Sequence, residues 1–333
     1  MLEKIIFLSL LINFPIFVFF NKITNFININ DKADNIRKFH KSEIPLFGGI
    51  LITYNLIIFI ILNEIFKLNL LNEINTKREY FSFCFGIILL FLIGIYDDKF
   101  NLTANKKLLL NFFIVFFLVL VDEDLLIKQL NFSFLDQPIY LKSFSYLFTV
   151  LCILLFLNAL NMFDGLNSQA AFFCIIIFLI FMMKNVFIST STITIFVLLI
   201  FLFYNFNNKM FLGDSGTQVL AFLISYILIK SYNFYGSFEP DEIFAILSFP
   251  GLDMFRLFIF RLASGKNPFS PDRNHIHHLI QKKFNSFQTF LLIQFFIMLN
   301  LFLFYYLDNK IIGLIIIIFL YLIVFVYFFK QRK

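Results

Sequence analysis

The sequence predicts an all-α, polytopic membrane protein built as a single integral domain, residues 1–333. Three observations predict it. Apolar residues make up 60% of the 333-residue chain and charged residues only 14%. Apolar stretches of about 20 residues, the length a helix needs to cross a hydrocarbon core, recur along the whole chain. The cations gather in alternate loops between those stretches.

Taken in order, membrane helices are expected near 4–21, 46–63, 80–96, 107–122, 144–161, 169–184, 187–205, 216–231, 242–262, 287–306 and 310–329. The first apolar run lacks a small-residue cleavage site after it, so it reads as a retained helix rather than a signal peptide. The polar segments Asp97-Asp98 and Lys106-Lys107 close the third run and open the fourth. Gly213-Asp214-Ser215-Gly216 precedes the eighth, and Arg261 ends the ninth. The break at Lys184 and Asn185 is the shortest. Merging across it gives ten spans and moves the last motifs to the opposite face.

Lys and Arg set the orientation. Odd-numbered loops and the tail hold 18 of the 27: five between 21 and 45, three between 97 and 107, Lys209, six between 256 and 286, and three in the tail. The positive-inside rule makes these loops cytoplasmic, with the N-terminus outside and the C-terminus inside. The net charge of +6 is thus explained by topology, without a nucleic-acid partner. Cys84, Cys152 and Cys174 lie in apolar runs, with no metal or disulfide spacing. Phe reaches 55 residues and Trp is absent, a bias compatible with an AT-rich genome.

The unusual residues fall in the same odd loops. The first holds Arg37-Lys38-Phe39-His40, then Pro45 and Gly48-Gly49. The third holds the paired carboxylates Asp97-Asp98 and the two lysines. These read either as a solvated helix end or as a site holding a cation and anionic oxygens together. Asn158, Asn161 and Asp164 are spaced by three, which at a helix end puts all three on one face. They are either a polar helix terminus or oxygen ligands for Mg²⁺, and Gly165 permits a chain reversal. In Gly213-Asp214-Ser215-Gly216, Asp214 or Ser215 can cap the next helix, or the glycines can let backbone approach a phosphate or metal. The ninth loop holds Asp253, Arg256, Arg261 and then Pro271-Asp272-Arg273-Asn274-His275-Ile276-His277-His278. Without cysteine or an i, i+4 histidine pair, zinc fits poorly there. A phosphate-binding basic patch fits better, beside the plain reading of a solvated loop.

Carboxylates, amides, lysines, arginines and histidines together suit phosphoryl transfer. No P-loop, no Ser-His-Asp order and no catalytic cysteine is evident. A transporter would place ionisable groups near mid-membrane, often with repeat symmetry, and neither is seen.

From Lys38 to His278, these motifs in this order resemble the polyprenyl-phosphate N-acetylhexosamine-1-phosphate transferase family. The segment from Ser264 to His278 is similar to its WecA-like branch. The resemblance implies transfer of a sugar 1-phosphate from a UDP-sugar to undecaprenyl phosphate, with release of UMP, to begin a cell-surface polysaccharide. It implies Mg²⁺, with Mn²⁺ as an alternative, held by Asp214 with Asn161 as co-ligand. Asp97 and Asp98 match essential paired aspartates, Lys107 a phosphate-contacting lysine, and Asp164 a residue near the nucleotide diphosphate. Arg261, His275, His277 and His278 match a loop binding diphosphate and sugar. His40, Pro45, Gly48 and Gly49 match a first-loop motif, structural or close to the lipid phosphate. The implied setting is the bacterial plasma membrane, with the site on the cytoplasmic face and a homodimer allowed. Many relatives read Asp-Gly-x-Asp-Gly, where this chain reads Asp164-Gly165-Leu166-Asn167-Ser168. Asn167 replaces a carboxylate used for uracil recognition but keeps both donor and acceptor. That departure also motivates a rival reading as an inactive scaffold. Within the transferase reading, a deoxy-N-acetylhexosamine or UDP-MurNAc-pentapeptide is the alternative substrate.

Overall fold

The computed structural model describes residues 2–31, 43–68, 71, 73–267 and 274–330. Each expected span coincides with a helix: α1 (Leu2–Ile27), α2 (Gly48–Phe66), α3 (Lys77–Phe100), α4 (Ala104–Val121), α5 (Ser145–Phe163), α6 (Gln169–Met183), α7 (Ile188–Phe206), α8 (Gly213–Lys230) and α9 (Pro240–Ala263), then, after the short α10 (Ile276–Ile280), α11 (Ser286–Tyr306) and α12 (Lys310–Lys330). The break at Lys184-Asn185 is real, because α6 stops at Met183 and Asn185 and Phe187 both take left-handed backbone.

Not all eleven expected spans have the length and composition of a crossing helix. Among the described residues, nine helices are long and apolar enough to cross a membrane. The fifteen residues of α6 span only about 22 Å at 1.5 Å per residue, short of a hydrocarbon core of about 30 Å. The apolar run of α8 starts behind a polar first turn, Gly213-Asp214-Ser215-Gly216. The all-α expectation also needs a small amendment. Asn30–Asp31 pairs antiparallel with Ile44–Pro45, and Gln129–Leu130 with Ile139–Tyr140. Large apolar side chains such as Phe295, Phe302 and Phe319 are exposed, as a multi-pass membrane protein facing lipid requires.

The chain forms two compact units. One gathers the residues up to Asp122 with Ala170–Ile227. There α7 packs on α1 and α2, α2 on α3, and α3 on α4. Pro15 lies inside α1, and the backbone breaks helical geometry at Phe19 (φ −111°, ψ 18°). Asn13 and Asn55 are fully buried and exchange amide hydrogen bonds at 2.7 and 3.0 Å, joining α1 to α2. In an apolar medium such a pair is stable only when both amides are satisfied. Glycine sets the spacing elsewhere: the Phe222 ring lies where a Cβ on Gly86 would be.

The second unit holds Glu123–Gln169 and the chain from Leu228 onward. Here α9 packs on α5, α11 and α12, and α10 on α11 and α12. Ser133 ties the hairpin loop to α9 by donating its N–H and hydroxyl to Asp241 at 3.0 and 2.7 Å. Asn285 and Gln288 form a reciprocal capping box that starts α11.

Candidate active site

The first cluster lies in the first unit, where the C-terminus of α3 meets the N-termini of α4 and α8. Asn101 in left-handed backbone (φ 52°) ends α3, and its N–H returns to the Asp97 carbonyl. The chain turns through three residues and begins α4, placing Lys107 in that helix's first turn. Lys107 Nζ sits 2.9 Å from Asp97 Oδ2 and 2.8 Å from Asp214 Oδ2. One ammonium therefore joins two carboxylates from different helices. The other oxygen of Asp97, Oδ1, accepts the Leu102 N–H at 2.6 Å, which fixes its rotamer.

Asp98 does something different from its neighbour. Its carboxylate accepts the backbone N–H of Asp214 at 2.7 Å, the N–H of Ser215 at 3.1 Å and the Ser215 hydroxyl at 2.7 Å. The first turn of a helix has unpaired N–H groups and partial positive charge, so an anion there is favourable. Asp98 supplies that anion from another helix and so caps α8 across the cluster.

The glycines of the sequence motifs bring these elements together. Gly213 has φ +74°, and a Cβ there would meet Asp98 Oδ2 at 2.7 Å. A side chain on Gly94 or Gly49 would collide with the backbone or hydroxyl at Ser215. The first-loop motif also joins α8 through backbone: Phe211 N–H donates to Pro45, Gly48 N–H to Phe211 and Gly49 N–H to Leu212, each at 2.9 Å. Pro45, Gly48 and Gly49 thus shape the entry to Asp214. His40, expected beside them, lies outside the described residues, as do Asp272 and Arg273.

The second cluster lies in the second unit. Asn158 and Asn161 occupy the last turns of α5, as expected, but Asp164 is no longer helical (φ −78°, ψ 46°). It is the C-cap, its N–H returning to Leu160 and Asn161, so it does not share the helical face of the two asparagines. The reversal continues through Gly165 and Leu166 to Asn167, and Ser168 takes φ 68°. Asp253, Arg256 and Arg261, grouped above with the ninth loop, lie on α9, within the span expected near 242–262. Of the expected histidines, His275 is the N-cap of α10, and His277 and His278 follow within it. The His277 ring is buried where a Cβ on Gly165 would sit, which brings the Asp164-Gly165 turn against the histidine segment. Among the described residues neither His277 ring nitrogen has a hydrogen-bond partner. Burial first, then its neighbours His278 and His275, hold its pKa well below the ordinary imidazole value of 6.5.

Asp253, noted in the sequence without a role, turns out to be the centre of this cluster. It is buried and accepts four hydrogen bonds, from Arg256, Tyr321, the Ile276 N–H and the His275 ring. The i, i+3 spacing of Asp253 and Arg256 in an apolar helix was a visible signal. Tyr321, in the middle of an apolar run, gave none.

The expected metal ligands divide between the units, Asp214 in the first and Asn161 in the second. Among the described residues, no group of three or more His, Cys, Asp or Glu is arranged to hold a metal ion. Asp97 and Asp214 do converge on one cationic atom, and every donor they present is a hard oxygen. That set fits Mg²⁺ or Mn²⁺, which commonly take one or two carboxylates and complete their shell with water and substrate phosphate.

The fold and these clusters define a multi-pass membrane protein whose carboxylates and lysine meet at helix termini. A family model described as glycosyl transferase family 4 matches residues 80–232. The undecaprenyl-phosphate alpha-N-acetylglucosaminyl 1-phosphate transferase of Escherichia coli K12 is 27% identical over 302 residues, covering 86% of this chain and 78% of the relative. The Yersinia pestis protein of the same name is 29% identical, covering 82% and 75%. A probable undecaprenyl-phosphate N-acetylglucosaminyl 1-phosphate transferase of Bacillus subtilis is 30% identical over 259 residues, covering 74% and 68%. The chain belongs to glycosyl transferase family 4.

Proposed function

We propose that this protein transfers an N-acetylhexosamine 1-phosphate from a UDP-sugar to undecaprenyl phosphate. The observation that carries the reading is Lys107 held between Asp97 and Asp214, a cation fixed at helix ends by acids from two other helices. Family membership and the names of the relatives support it. The lysine concentration in the same loops supports a cytoplasmic site in a bacterial plasma membrane.

In this reading an oxygen of the lipid phosphate attacks the phosphorus that carries the sugar. A new P–O bond forms, the bond to the bridging oxygen breaks, and UMP leaves with the electron pair. A phosphate monoester has its second pKa at about 6, so the acceptor is largely a dianion at neutral pH. A strong base is then unnecessary. Asp97 instead holds Lys107, whose ammonium offsets charge on the reacting phosphates. Asp98 keeps the first turn of α8, and with it Asp214, in place. His275, His277, His278 and Arg261 supply donors for the nucleotide diphosphate, and Asn167 offers an amide to the uracil edge. Asp164 closes the turn beside the histidines. A divalent ion held by Asp214 would add Lewis-acid neutralisation of the diphosphate.

Membranes containing the protein should convert undecaprenyl phosphate and radiolabelled UDP-N-acetylglucosamine to labelled lipid, with equimolar UMP. Chelation should stop the reaction, and Mg²⁺ or Mn²⁺ should restore it. A folded preparation that forms no lipid product from any UDP-sugar would remove this reading. Solute flux without lipid product would favour a carrier instead. A panel including deoxy-N-acetylhexosamines and UDP-MurNAc-pentapeptide would identify the sugar.

A further inference from the structure

Asp253 carries the inference. Its side chain is 6% exposed, so every donor to it matters energetically. Oδ1 takes three: Arg256 Nη2 at 2.6 Å, the Tyr321 hydroxyl at 2.9 Å and the Ile276 backbone N–H at 3.2 Å. Oδ2 faces His275 Nδ1 at 3.2 Å. The donors come from α9 itself, from α12 and from the start of α10. Arg256 strengthens the arrangement by donating to the Asn274 carbonyl at 2.7 Å and to the Tyr321 hydroxyl at 2.9 Å, with its guanidinium 4.3 Å from the Phe325 ring centre.

A carboxylate only accepts hydrogen bonds. His275 must therefore carry its hydrogen on Nδ1, which leaves Nε2 as the nitrogen available to a ligand. The same logic orients metal-bound and catalytic histidines, where a carboxylate on one ring nitrogen selects the role of the other. Neutralising Arg256 would need only one carboxylate oxygen. Here the second oxygen is given to the ring, and the Ile276 N–H pins the backbone beside it.

We propose that Asp253 is a positioning residue for His275. It fixes the ring tautomer and the start of α10, so that Nε2 is presented to the phosphates of the donor nucleotide. The identity of that anion rests on the transferase reading; the tautomer does not.

The chain has four histidines, so ¹⁵N-histidine labelling in detergent gives a resolvable spectrum. His275 is assigned by its loss in His275→Gln. The wild type should show His275 with hydrogen on Nδ1. Asp253→Asn places an NH₂ against the ring and should abolish that preference, whereas Tyr321→Phe keeps the carboxylate and should retain it. In the transfer assay, Asp253→Asn should raise KM for the UDP-sugar about tenfold, the lower end for loss of such a supporting contact. KM for the lipid should stay within about twofold, and adding Asp253→Asn to His275→Gln should cost nothing more. An Nε2–H tautomer in the wild type, equal changes in both KM values, or additive losses would overturn the proposal. If Asp253→Asn does not fold, the wild-type and Tyr321→Phe spectra decide it. If the wild type makes no product, the transferase reading falls and the spectra still decide the role of Asp253.

Discussion

The Asp98 carboxylate holds Ser215 by both its backbone N–H and its hydroxyl, at 3.1 and 2.7 Å. Asp97, one residue earlier, instead faces Lys107. Two adjacent acids of the same type thus have separable roles. Asp98→Asn should lower the melting temperature in detergent, because charge-assisted bonds to a helix start contribute about 1.5–3 kcal/mol. Asp97→Asn should cut kcat by about 100-fold, the scale of losing one electrostatic contact near the reacting group, with a smaller fall in melting temperature than Asp98→Asn because Lys107 keeps Asp214 as a partner. Identical thermal and kinetic profiles for the two variants would contradict this division.

Replacing Lys107 by Met should damage both stability and turnover. Removal of the ammonium leaves the Asp97 and Asp214 carboxylates facing each other without the cation that joins them. Breaking a fully buried pair costs about 3–5 kcal/mol, and Asp214 is 29% exposed, so a smaller loss of about 1–3 kcal/mol is expected here. Denaturant unfolding of Lys107→Met beside Lys107→Arg checks it, with the arginine variant the more stable of the two.

The glycines give a contrast within one protein. Gly213→Ala adds a methyl at φ +74° and pushes against Asp98, so it should cost about 2 kcal/mol or more and reduce activity. Gly251 lies inside α9 with nothing within 4 Å of its Cβ position. Gly251→Ala should be neutral or stabilising by up to about 1 kcal/mol, from helix propensity alone. Paired melting curves test both.

His277 predicts an acid-side weakness. Its folded-state pKa lies below its ordinary 6.5, so between the two values the unfolded chain binds a proton that the folded chain does not. Stability therefore rises with pH across that window and falls as pH drops below about 6.5. His277→Gln should flatten the dependence of unfolding free energy between pH 7 and pH 5. An unchanged slope would show that another group titrates there.

Much of the helix plan was legible because crossing a bilayer demands long apolar runs, and each of the eleven expected runs is a helix. The break at Lys184 was also legible, through two polar residues in an otherwise apolar stretch. The shortness of α6 and the polar first turn of α8 are the parts that apolar content alone does not reveal. Within the site, residue type and order pointed to Asp97, Asp98, Lys107 and Asp214. Which acid faces the lysine and which caps α8 depends on the rotation of α3, and neighbours in sequence give no hint of it. Asp164 was misjudged because spacing by three says nothing about where a helix ends. The link from Asp253 to Tyr321 joins residues 68 apart, a contact that no local pattern encodes.

That link sets how much of the chain is needed. The family match stops at residue 232, and every recognised motif is complete by His278. Tyr321 lies beyond both, in a terminal helix with no motif of its own. A fragment trimmed after the histidines would look intact by its signatures yet lack one of the hands on Asp253. The working length of such an enzyme is longer than its diagnostic length, and expression boundaries drawn from motifs alone would cut it short.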